Sequence, residues 1–196
     1  MTWKASGRFV FRYTLEGEYA ISSADNNQNG VPDYIDDLYG RFNFSWQQEI
    51  GEYKYKEISG GYLPLQVYLY NTGGSVKTEF LINVVRIHLD NDIPIQLRGV
   101  FVAHEFFHAV QFTGYDPGEA EWWIEGTAVW MEDEVYDDVN NYVGYIHHFT
   151  DCPEWSLDNS NSDHEYGAVI FPKLISERRG VGQIRVIWQG CGVQTG

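Results

Sequence analysis

Residues 100–112, VFVAHEFFHAVQF, constrain this chain more than any other segment. The run is apolar nearly all round, which is the composition of a buried helix. His104, Glu105 and His108 interrupt it. Burying three such groups is costly unless something satisfies them. On an α-helix, residues four apart lie about 40° apart around the axis and one turn up. Both imidazoles can therefore reach one metal ion. Glu105 projects near them and can act on a metal-bound water. A second reading stays open, in which the pair are core histidines satisfied by hydrogen bonds.

The surrounding pattern reads as one α+β domain. A chain of 196 residues with 43% hydrophobic content is long enough for a single core. Alternation predicts strands over 7–15, 64–70 and 80–89, with a turn at Gly73-Gly74. Helical spacing of Ile35, Leu38, Tyr39, Phe42 and Trp46 predicts a helix over 34–50. Further helices are expected over 97–112, 119–135 and 168–177, the last stopped by Arg178-Arg179-Gly180. Strands first and helices afterwards favour α+β, with an N-terminal mixed or antiparallel sheet, over a doubly wound fold.

Charge excludes some partners. Asp and Glu number 28 against 13 Lys and Arg, a net charge of −15. Such a surface repels nucleic-acid phosphates and anionic membranes. No run approaches the roughly 18 apolar residues that a membrane span needs. The first seven residues lack an apolar signal core, so an exported protein is expected to have lost its signal already. Residues 190–196 look like a segment cut from a longer chain. Cys152 and Cys191 lack zinc-type spacing, and the sequence leaves open whether they are bridged.

A catalytic zinc site takes three protein ligands and keeps a position for water. Residues 122–132, WWIEGTAVWME, offer the third, because Glu125 sits among apolar neighbours. Sixteen residues, 109–124, separate it from His108. That is enough for the first helix to end near Gly114, turn through Asp116-Pro117-Gly118, and start a second helix packed on it.

HExxH followed by W-x-x-E-G-x-A resembles the gluzincin metallopeptidases, a group that includes thermolysin and the one-zinc aminopeptidases. The chain looks closer still to a family of secreted bacterial metalloproteases with three motifs. These are NGVPDY (29–34), AHEFFHAVQ (103–111) and W-x-x-E-G-T-A-x-W-x-E-D (122–133). The resemblance spans about residues 8–180. It implies a small zincin-like domain, with His104, His108 and Glu125 as zinc ligands and Glu105 as general base. Val129 stands where thermolysin-type enzymes carry an acid four positions after the third ligand. Glu132, seven positions on, either orients a histidine or faces solvent.

The implied chemistry is peptide-bond hydrolysis on a peptide or protein substrate. The developing oxyanion needs a further donor. Tyr166 is the candidate and His164 the alternative, and a Tyr166 that only packs on the core is equally open. By resemblance, the strand before the metal helix would pair with an extended substrate. His88, His147 and His148 read as surface or core residues, and the adjacent pair should diverge on a helix.

Residues 25–36, DNNQNGVPDYID, match a calcium loop of EF-hand type. Oxygen side chains fall at Asp25, Asn27 and Asn29, Gly30 sits at the turn, and Asp36 closes the loop. The Val31 carbonyl and Asp33, through water, complete the set. The competing reading is an Asn/Gly-rich turn. Calcium here would be structural and would favour an extracellular setting.

Zinc-dependent peptidase with a structural calcium is therefore the leading expectation. A calcium-binding or adhesion module with a vestigial zinc site is the alternative, and intact Glu105 speaks against it. A zinc-free helical interaction domain would leave His104, His108 and Glu125 buried without a reason.

Overall fold

Alternating strands build a five-stranded mixed sheet in the computed structural model, which describes residues 2–81, 84–115, 118 and 120–191. Strands β1 (Thr2–Ser6) and β2 (Phe9–Tyr13) form an antiparallel pair. Helix α1 (Asp33–Trp46) follows, then β3 (Leu65–Tyr70), β4 (Lys77–Leu81) and β5 (Val84–Asp90). The spatial order is β1-β2-β3-β5-β4. β2, β3 and β5 run parallel, and β4 pairs antiparallel with β5 at one edge.

Two expectations change here. α1 lies between β2 and β3, and this crossover makes the two strands parallel, so strands do not all precede helices. The single strand over 80–89 is a hairpin, in which Leu81 pairs with Val84. Nearly every residue from 80 to 89 suits a strand, so local propensity carries no mark of the reversal. Ile82 and Asn83, between the strands, lie outside the described residues. The strand expected over 7–15 is confined to Phe9–Tyr13.

One face of the sheet is apolar. Phe9, Phe11, Leu65, Val67, Val85 and Ile87 are fully buried there. They meet α1 and α2 (Arg98–Gly114) through side chains such as Phe42, Trp46 and Phe106. The Phe9 ring sits 5.1 Å from Phe42 and 6.2 Å from Phe106. Burying each such side chain contributes about 1.5–3 kcal/mol. α1 continues past Trp46 as a π-helical turn, Gln47–Glu52, where a plain helix to 50 was expected.

Helix α3 (Glu121–Val135) packs on α2. Asp116 and Pro117 of the expected inter-helix turn, and Glu119 at its end, lie outside the described residues. The chain ends through short helices α4 (Ile146–Thr150) and α5 (His164–Gly167), then α6 (Ile170–Arg179) and α7 (Gly182–Gly190). Gly126 lets α3 approach this segment closely: a Cβ there would stand 3.2 Å from the Ala168 carbonyl carbon. That contact carries the 164–167 turn towards the α2–α3 seam. No disulfide joins Cys152 and Cys191. Residues 192–196 lie outside the described residues. Among the described residues no helix is long and apolar enough to cross a membrane.

Candidate metal centre

His104 and His108, one turn apart on α2, point their Nε2 atoms at each other across 3.0 Å. Glu125 Oε2, from α3, lies 3.2 Å from the first and 3.3 Å from the second. These three residues form a group that could hold a metal ion. A tetrahedral ion with ligands at about 2.0–2.1 Å spaces them about 3.3 Å apart. The observed triangle has nearly those edges.

The far side of each ring determines what the near side can do. His104 Nδ1 lies 2.7 Å from Glu132 Oε1, a carboxylate that only accepts, so Nδ1 is the donor. His108 Nδ1 lies 2.7 Å from Gln111 Oε1. The Gln111 amide nitrogen donates to the Ile124 carbonyl and to Thr127 Oγ1, each at 3.0 Å, which turns its oxygen towards His108. Both Nδ1 atoms therefore carry hydrogens, assigned from this network. Neutral rings then present lone pairs at both Nε2 atoms, facing a carboxylate oxygen. Three acceptors at this spacing need a cation between them, either a shared proton or a metal ion.

Protonation preferences follow from the same crowding. Burial opposes charge on His104, yet Glu125 and Glu132 hold its pKa well above the usual histidine value. His108 is likewise raised, with Glu125 outweighing burial. Burial would raise Glu125, but the two imidazoles pull it below the ordinary carboxylate range.

No family model matches the chain, and no curated protein matches it. The likeness to gluzincins rests on the sequence motifs alone. Glu132, left open between two roles, is 1% exposed and bonds His104. Its second oxygen accepts from Asn141 Nδ2 at 2.8 Å.

Glu105 faces the same site and is 2% exposed. Burial raises its pKa, against the pull of both histidines. Thr78, on edge strand β4, donates its hydroxyl to Glu105 Oε2 at 2.7 Å. The Tyr166 ring stacks on His104, with centroids 5.8 Å apart and planes 10° apart. Burial, followed by nearby carboxylates, pushes the Tyr166 phenol up, so it stays protonated. His164 points elsewhere: it is buried against Phe149 and Trp155, with Nδ1 3.1 Å from the His148 carbonyl. The His147 and His148 rings do not diverge as expected; their centroids lie 3.9 Å apart on the five-residue α4.

Three hollows meet at the centre. One of about 250 Å³ is bounded by Val76, His104, Glu105, Tyr145 and Tyr166. A second, about 160 Å³, shares His104, Glu105 and Tyr166 with it and adds Thr78, His108 and Glu125. A third, about 640 Å³, opens beyond Phe112 and Glu125.

The 25–36 loop is ordered from within. Asp25 accepts the Asn29 and Gly30 backbone N–H groups at 3.1 and 2.9 Å. Asn27 and Asn29 donate their amides to Asp36 Oδ2 at 3.2 and 2.6 Å. Asn29 Oδ1 accepts the Val31 N–H at 2.8 Å. Asp33 turns to Asn26, accepting its backbone N–H at 3.0 Å and its side-chain amide at 2.5 Å. Gly30 takes φ +82°, which a side chain would strain. The three aspartates do not converge as the metal-centre residues do.

Thr78, Gln111, Thr127, Asn141 and Tyr145 were not singled out by sequence reasoning. Gln111 carried a usable signal, three residues after His108 on the same helix. Thr78 and Asn141 reach the site only through tertiary packing, which leaves no local trace.

Proposed function

We propose that this protein is a zinc-dependent peptidase. The observation that carries the reading is the triangle of acceptors, His104 Nε2, His108 Nε2 and Glu125 Oε2, at 3.0–3.3 Å. Its donor set, two imidazoles and one carboxylate, is that of a catalytic zinc site with an open fourth position. Bound zinc supplies Lewis acidity towards a scissile carbonyl and lowers the pKa of water towards about 7.

The chain's own residues supply the rest. Glu105 takes the proton of the attacking water and passes it to the leaving amine. Its raised pKa brings the carboxylate closer to the basicity that work requires. Thr78 orients it through Oε2. Tyr166, protonated beside His104, donates to the developing oxyanion. The hollows flanking Glu105 admit an extended peptide. A structural calcium ion held by Asp25, Asn27, Asn29, the Val31 carbonyl, Asp33 and Asp36 would require the Asn27 and Asn29 amides, which donate to Asp36, to turn their oxygens inward, and Asp33 to leave Asn26. An extracellular setting, where calcium is abundant, suits that role.

The test is peptide hydrolysis by the zinc-loaded protein and two variants. Glu105→Gln keeps the ligand set, so zinc should stay bound while the rate falls by about 10²–10⁴-fold. Glu125→Ala should lose both zinc and activity. A Glu105→Gln variant as fast as the parent would refute this mechanism.

A further inference from the structure

The sheet face away from the helices carries a second built site. Strand alternation places Arg12, Gln66, Tyr68, Arg86 and His88 outward, opposite the buried core side chains. A hollow of about 290 Å³ lies there, walled by Tyr62, Leu63, Pro64, Tyr68 and Val84 and bordered by Arg12 and Arg86. The two guanidinium carbons lie 5.7 and 6.0 Å from the centre of the Tyr68 ring.

The charges here are unbalanced. The chain has 28 acidic residues for 13 basic ones, so carboxylates are plentiful. Neither Arg12 nor Arg86 forms an ion pair among the described residues. Glu79 stands opposite Arg86 in the sheet register, but its oxygens go to Lys77 at 3.1 Å and His88 at 3.0 Å. Arg12 Nε donates to Gln66 Oε1 at 2.9 Å, and Gln66 in turn donates to the Pro64 carbonyl. Arg86 Nε is buried with no hydrogen-bond partner among the described residues. The two guanidiniums stand on the strands either side of Tyr68, and a buried donor left unmade is costly.

We propose that this hollow binds an organic carboxylate, with its charge between Arg12 and Arg86 and its apolar or aromatic body against Tyr62, Leu63 and Val84. Guanidinium matches carboxylate geometry bidentately; His88 already stacks on Tyr68 at 5.3 Å, so the stem lies chiefly against Tyr62, Leu63 and Val84. Leu63, Pro64 and Val84 line part of the hollow and give an organic ligand apolar contact that a fully hydrated inorganic anion would not use. The site is independent of the metal centre, which lies on the helix-covered face of the sheet.

Benzoate, benzamide and inorganic phosphate are suitable probes, titrated calorimetrically into the full zinc-loaded chain at fixed ionic strength. Benzoate should bind with one-to-one stoichiometry, and benzamide and phosphate at least about tenfold more weakly. Arg12→Gln and Arg86→Gln should each weaken benzoate about tenfold or more, the range for a charge-assisted hydrogen bond. Zinc content should be unchanged in both. Arg12 is partly exposed, so Arg12→Gln keeps the test decisive should Arg86→Gln fail to fold. Three results overturn the site: no benzoate binding, benzamide binding equally well, or benzoate binding untouched by the substitutions, which would put the ligand at the metal centre instead.

Discussion

His104 shows how a single side chain is committed from both ends. Glu132 fixes its Nδ1 as a donor, and Glu125 and His108 crowd its Nε2. Carboxylate partners of this kind orient a metal-binding imidazole and increase its basicity, and losing one typically costs 10–100-fold in metal affinity. Glu132→Ala should therefore weaken zinc binding by about that factor while the fold persists. Competition against a chelator of known affinity measures it. Unchanged affinity would make Glu132 a packing residue. Gln111 plays the equivalent part for His108, locked by Ile124 and Thr127. The three residues that could hold a metal ion, and the proposed base, were legible at this scale because HExxH and the Glu125 run are local patterns. Thr78 was not, since it lies 27 residues from Glu105; Asn141, nine residues after Glu132, sits beyond the end of α3, where no helical spacing marks the contact.

Among the elements, the 25–36 loop meets α1 at Asp33, and Asp36 sits in the first turn of that helix. A calcium ion there would tie the segment after β2 to the helix that covers the sheet. An ion that binds only the folded state adds RT ln(1 + [L]/Kd), about 2.7 kcal/mol at a hundredfold excess over Kd. The parent's melting temperature should rise with calcium, and that of Asp25→Ala should not. Equal responses of the two proteins would mean that the loop is held by its own hydrogen bonds alone. The elements themselves were readable to different degrees. α2 and α3 fall within two residues of their expected bounds because their apolar periodicity is strong. The β4–β5 hairpin was read as one strand, because a tight reversal inside an apolar run breaks no pattern. β1 escaped notice, and α4, α5 and α7 are too short or too dependent on neighbours to declare themselves.

For the whole molecule, burial has one unusual cost. Glu49, in the π-helical turn after α1, is fully buried, and neither carboxyl oxygen has a hydrogen-bond partner among the described residues. Burial holds its pKa well above the ordinary value of 4.5, against a weaker pull from His104. A raised folded-state pKa means this group's contribution to stability is complete below the unfolded value and is lost as pH rises towards the folded one. The parent should lose about 1.4 kcal/mol per pH unit above about pH 4.5 relative to Glu49→Gln, which cannot ionise. Denaturant unfolding of both proteins across that window measures the difference. Parallel pH profiles would show that Glu49 is ionised in the folded state.

Elemental analysis of the parent and of Glu125→Ala, each purified without added metal and then titrated with zinc, tests the central claim most directly. One zinc per chain in the parent, lost in the variant, is the predicted result. A parent that neither carries zinc nor takes it up would mean that His104, His108 and Glu125 share a proton rather than a metal ion.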